Sequence, residues 1–133
     1  MSGTPSLQPA DVLGGSPLAM AVFDRVRTYL HGLGRVEVRT TKSQVAFRGR
    51  RAFAWLWRPG LYLANPDVEI VLSIALKRRD GSPRWKEVVE PARGHWMHHL
   101  EVRVLDDIDG EVEAWLAEAA SGAELGAGGE RGG

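Results

Sequence analysis

Between residues 16 and 33 the apolar positions fall at Leu18, Val22, Val26, Tyr29 and Leu33, the three-to-four-residue spacing that lines one face of an α-helix. Ser16 offers an N-cap, Pro17 fits the first helical position and Gly34 stops the run. The period then shortens. Residues 36–40, 44–48 and 52–58 read as three short strands, and the "GRR" at 49–51 makes the last two a hairpin with a basic tip. Residues 69–77 ("EIVLSIALK") form a fourth strand, followed by a turn at Asp80 and Gly81. Residues 82–94 keep neither period, so a short helix and an irregular connection both stay open there. Residues 97–104 alternate as a fifth strand. Asp107 can cap a final helix carrying Ile108, Val112, Trp115, Leu116 and Ala119, which Gly122 ends. Helix, antiparallel strands and helix imply an α+β two-layer sandwich: a mostly antiparallel sheet of about five strands with the N- and C-terminal helices on one face.

Alternation assigns side chains to faces. In the fifth strand Leu100, Val102 and Val104 turn to the core and His98 goes with them, while His99, Glu101 and Arg103 point away. The histidines of "GHWMHHLEV" are thereby split, and His95, beyond Gly94, is expected outside the ladder. That split argues against a metal centre, which needs three or four converging ligands. The third strand is apolar on both faces, with Phe53, Trp55 and Trp57 on one and Ala54 and Leu56 on the other. The tryptophans are either core or the aromatic floor of the free face, beside Arg39, Arg48, His99 and Arg103. In the second case they suit anions, bases or peptide side chains.

Composition narrows the classes. The 133 residues leave room for one domain over 16–122, with a flexible arm at 1–15 and a flexible Gly-rich tail at 123–133. There is no cysteine, hence no disulfide framework, thiolate zinc site or cysteine nucleophile. The longest apolar run, 70–76, is far short of the roughly 20 residues needed to cross a bilayer, and the N-terminus lacks a signal-peptide pattern. A soluble, cytoplasmic chain without a cofactor is expected. The net charge of zero hides two blocks: nine Arg/Lys and one acid from Arg25 to Arg58, and eight acids and one base from Asp106 onward. Arg48, Arg50 and Arg51 at the hairpin tip are the nucleic-acid candidates, a minority reading because most charge blocks are solvated faces. Nucleophile elbows, phosphate-cradling glycine loops and dinucleotide fingerprints are absent, and Ser43, Ser73 and Ser82 lack a turn that would expose a nucleophile.

The runs "TTKSQVAFRGRRAFAWLW", "GSPRWKEVVEPARGHWMHHLEVRV" and "DDIDGEVEAWLAEA" resemble an uncharacterised bacterial domain-of-unknown-function family sometimes labelled "predicted transport protein", over about residues 20 to 120. The resemblance implies a small α+β domain. Its recurring elements fall on Lys42 before the second strand, on Phe53 and Ala54, on Ser82 and Arg84, and on a histidine at the start of the last strand, His98 or its neighbour His99.

Together these readings point to a binding domain for a small anionic ligand or a protein partner, docking near Lys42, Trp55, Trp57, Arg84, His98 and His99. A lysine and an arginine converging on a histidine would supply fixed positive charge and directional donors. The alternatives are a small enzyme with His98 or His99 as general base, stabilised by Lys42 or Arg84, and nucleic-acid binding through Arg48, Arg50 and Arg51.

Overall fold

Six strands, β1 (Glu37–Thr40), β2 (Val45–Arg48), β3 (Ala52–Trp57), β4 (Ile70–Leu76), β5 (Glu87–Ala92) and β6 (His95–Val102), make one sheet in the order β1-β2-β3-β4-β6-β5. Every neighbouring pair is antiparallel. The structure, a computed structural model, describes residues 6–61, 63, 64 and 66–125. The ends of the two expected arms, 1–5 and 126–133, therefore lie outside the described residues.

Register shows how alternation becomes a core. Val38, Phe47, Ala54, Ile74, His98 and Val88 sit side by side across the sheet, and Val45, Leu56, Leu72 and Leu100 form the next row on the same face. Against them pack Val22, Phe23, Val26 and Leu30 of α2 (Pro17–His31) and Val112, Trp115, Leu116 and Ala119 of α3 (Gly110–Gly122). Each valine, leucine, isoleucine or phenylalanine side chain among them fully withdrawn from water contributes about 1.5–3 kcal/mol of transfer free energy. Ala46 and Val71 are also buried but stand apart from this cluster, because they point to the other face. The fold is thus α+β with the helices on one side of an open sheet. No described helix is long and apolar enough to cross a membrane.

The elements depart from the expected ones where packing or hydrogen bonding decides. Within the expected flexible arm, Pro9–Leu13 form a short helix, α1, with Val12 and Leu13 buried in the core. Ala123, assigned to the tail, is buried too, and Leu125 packs against the core. The ambiguous stretch is strand β5. It pairs with β6 through a bulge between Val89 and Ala92 and a turn in which Gly94 takes a φ of +77°, a conformation only glycine adopts without strain. His95, expected beyond the ladder, is paired with Ala92 inside it. Asp109, not Asp107, caps α3, its carboxylate accepting from the Val112 amide at 3.1 Å. Asp107 instead closes a 3-10 turn, accepting from the amides of Arg103 (2.8 Å) and Val104 (3.2 Å). Ser16 caps α2 as expected, accepting from Ala19 at 3.0 Å.

Candidate functional site

The face turned away from the helices is where the sequence concentrates unexplained chemistry. Its central row runs Arg39, Ala46, Trp55, Ser73, His99, Glu87, one residue from each strand in sheet order. On one side lies the row Trp57, Val71, Glu101, and on the other Ala75, Met97, Val89. Of the two apolar faces of β3, Ala54 and Leu56 go under the helices, while Trp55 and Trp57 lie half-buried on the open face beside Ala46, Ser73 and Val71. Phe53 shares sequence parity with the tryptophans, yet it joins the helix-side core. The reason is a register shift between β2 and β3, where Phe47 pairs with Ala54 but Arg48 with Ala52, so Phe53 is the unpaired bulge residue.

At the centre, the Trp57 indole N–H donates to Ser73 Oγ at 2.9 Å, and Ser73 Oγ lies 2.6 Å from His99 Nδ1. An indole nitrogen can only donate, so Ser73 accepts from Trp57 and has its own proton for Nδ1. Burial pushes His99 below the ordinary imidazole pKa, opposed by the nearby Glu87 carboxylate and reinforced by His98. His99 is therefore neutral at pH 7, with one nitrogen held by Ser73. Ser73 itself is 3% exposed and its oxygen is already engaged by Trp57, so it is not presented as a nucleophile. Gln44, Trp55, Trp57, Ser73, Met97 and His99 line a shallow depression of about 280 Å³. A groove of about 380 Å³ shares Trp55 and Met97 with it and runs toward the end of α3. Among the described residues no cluster of three His, Asp or Glu could hold a metal ion.

With this geometry in view, comparison with known families is informative. The model of the family described as "Domain of unknown function (DUF5655)" matches residues 10–120. The chain belongs to the DUF5655 family. Neither a curated protein nor a solved structure matches the chain.

In this DUF5655 domain the six expected ligand residues do not share one site. Trp55, Trp57 and His99 meet on the open face; Lys42, Arg84 and His98 are elsewhere. Lys42 is exposed in the β1–β2 turn. His98 is fully buried on the helix side. Its Nε2 accepts from the Asp80 amide at 2.9 Å, which places the ring hydrogen on Nδ1, 3.3 Å from the Ile74 carbonyl. Its ring packs at a tilt of 53° on Trp85, 4.9 Å between centroids, and Trp85 packs at 39° on Trp115 of α3 at 4.2 Å. Burial lowers the His98 pKa, against smaller opposing effects of the Ile74 and Trp96 backbone. Arg84 clamps the start of α3: Nη1 bonds Glu111 (2.9 Å) and Asp109 (3.1 Å), Nη2 bonds the Asp107 carbonyl (3.0 Å), and the guanidinium lies 5.8 Å from the Trp115 ring centre. Asp80 completes this framework by accepting from the Trp85 indole (2.9 Å), the Ser82 amide (3.1 Å) and Arg78 (3.0 Å). Although burial opposes it, those bonds hold the Asp80 carboxyl below its usual pKa. Ser82, Arg84 and His98 thus belong to the framework that fixes α3, whereas His99, the other candidate for the resemblance's histidine, lies on the open face.

At the hairpin tip Arg50 and Arg51 meet the C-terminal end of α3. Arg50 Nη1 is 3.3 Å from Glu124, and Arg51 Nη2 donates to the Gly122 carbonyl at 3.2 Å. Arg48 lines a surface hollow with Arg35, Glu37, Arg50 and Glu124. Sequence reasoning set Ser73 aside for want of an exposing turn and missed Gln44, Met97 and Glu87. The available signal was a lone hydroxyl inside "IVLSIAL": a buried polar group in an apolar strand needs a partner, and the partners are Trp57 and His99.

Proposed function

We propose that this chain is a cytoplasmic binding domain whose recognition surface is the open face of the sheet, centred on Trp55, Trp57 and His99, and that its natural occupant is a protein surface. The observation that carries the reading is the pair of half-buried tryptophans beside Ala46, Val71 and Ser73 on a sheet face that no described helix covers. Aromatic residues on a broad, rigid face are the usual energetic anchors of protein interfaces. The cationic residues expected to hold an anion, Lys42 and Arg84, are not among those lining the depression around Trp55, Trp57 and His99. Site-specific photocrosslinking in the producing cell tests the proposal. A photoreactive residue at Gln44 or Val89 is expected to give a discrete protein adduct, identified by mass spectrometry, and one at Ala114 on exposed α3 is not. Equal labelling from both surfaces, or none from the open face, would remove the reading.

One observation favours a second occupant, a small anionic ligand. Ser73 Oγ lies 2.6 Å from His99 Nδ1 and Trp57 meets the ring edge-on at 6.2 Å between centroids, which holds the imidazole in place as a polar group within the aromatic depression. Tryptophan emission titrated with inorganic phosphate and with short-chain carboxylates tests it, with His99→Phe as the control that removes the polar group.

A further inference from the structure

The central row of the open face reads differently from its two ends, and that order has a geometric consequence. When two identical sheets stack face to face about a twofold axis lying between them and parallel to the strands, each transverse row meets itself reversed, edge strand against opposite edge strand. Here β1 meets β5, β2 meets β6 and β3 meets β4. Arg39 then faces Glu87 of the second copy, Ala46 faces His99, and Trp55 faces Ser73, because the six residues share one register row. The outer pairing sets an exposed cation against an exposed anion, while Ala46 and Ser73, already buried, lie beneath the aromatic centre that the two copies would share. In the adjoining row Trp57 of β3 comes over the β4 position, where Val71 is already buried, so the apolar contact there is made by the tryptophans themselves.

We propose that the partner of the open face is a second copy of this chain, in a face-to-face dimer closed by two Arg39–Glu87 pairs around a tryptophan centre. This rests on the open face being the recognition surface. Six strands about 4.8 Å apart and about 20 Å long offer a face on the order of 600 Å² per chain. That approaches the roughly 800 Å² per partner of a standard stable interface before side-chain relief is counted. Edge-to-edge pairing is the competing route. On the β5 side it is blunted by Pro91 and by the bulge between Val89 and Ala92, both of which interrupt a ladder. The formal net charge of zero adds no long-range repulsion between copies.

Sedimentation velocity of the full chain over a wide concentration range decides. A dimer is expected in the wild type, weakened at least tenfold by Arg39→Glu and by Glu87→Arg separately. An equimolar mixture of the two variants is expected to form a heterodimer of near wild-type affinity, since both contacts then regain opposite charges. Two single losses without rescue on mixing, a dimer indifferent to both changes, or a monomer at every concentration would each overturn the proposal. Crosslinks from Gln44 and Val89 separate its failure from that of the broader reading. A monomer that crosslinks a different protein there keeps the recognition face and discards the self-pairing, and a chain that crosslinks nothing discards both.

Discussion

A buried imidazole with both nitrogens committed sets a sign for the pH dependence of stability. His98 accepts the Asp80 amide on Nε2, so a proton arriving there must break that bond inside the core. Its pKa and that of His99 are both lowered from the ordinary 6.5, each mainly by burial. The unfolded chain therefore binds protons that the folded chain refuses between the folded values and 6.5. By linkage this stabilisation is full above about 6.5 and is lost as pH falls toward the folded pKa. Urea midpoints measured from pH 7.5 to 5 are expected to fall with acid, and His98→Gln is expected to show a shallower slope whatever its stability at pH 7.5. A slope equal to wild type would mean that His98 titrates normally. Arg84 makes the companion case. Arg84→Ala leaves the α3 start without its clamp and is expected to cost about 1–2 kcal/mol. Arg84→Lys should recover less than half, because an ammonium cannot span two carboxylates and a carbonyl while lying over an indole. Near-ultraviolet circular dichroism of the Trp85–Trp115 pair reports the local loss.

At the scale of elements, what the sequence disclosed depends on how long each pattern persists. α2 has fifteen residues and announces itself by periodicity. α1 has five, too few for a period, and its apolar pair Val12–Leu13 is indistinguishable from scattered arm residues until it meets the core. That burial changes the expected outcome of trimming. Leu13→Ala is expected to lower the unfolding free energy by about 2–5 kcal/mol, and removing residues 1–15 to cost at least as much, both read from urea denaturation. An unchanged midpoint would show that α1 rests on the core without contributing to it. The candidate site was legible to the same limited depth. Parity correctly separated His98 from His99, since one residue along a strand changes faces. It could not say which face of β3 the helices cover, because both are apolar, and Phe53 shows that one bulge residue defeats parity altogether. The grouping of Lys42, Arg84 and His98 failed for another reason. Arg84 follows a turn, where no period fixes direction, and its carboxylate partners lie 25 and 27 residues further on.

Across the whole molecule, folding uses the charge segregation instead of displaying it. Arg25 reaches Asp106 at 3.6 Å, Arg50 reaches Glu124 at 3.3 Å, and Arg78 holds Glu118 through two bonds of 2.8 and 2.9 Å. The basic block thus meets the acidic C-terminal segment on either side of α3, and Arg78, outside that block, ties down the helix itself. At the hairpin tip, the Arg50 amide donates to the Ala123 carbonyl at 2.8 Å. A Cβ on Gly49 would stand 2.8 Å from that same carbonyl oxygen and 2.7 Å from Leu125 Cδ2, so only glycine lets the turn sit against the helix end. Arginines at this position also complement the negative end of the α3 dipole. These contacts are solvent-facing, so their contribution is local. An Arg50→Ala, Arg51→Ala double variant is expected to shift global stability by less than about 1 kcal/mol while speeding amide hydrogen exchange over residues 119–124. Gly49→Ala is expected to speed the same amides more, since it displaces backbone and not only side chains. The opposite pattern would assign the tip to nucleic acid: unchanged exchange in the double variant, with loss of an oligonucleotide affinity that had fallen steeply with salt, near −0.9 in log–log slope per phosphate contacted.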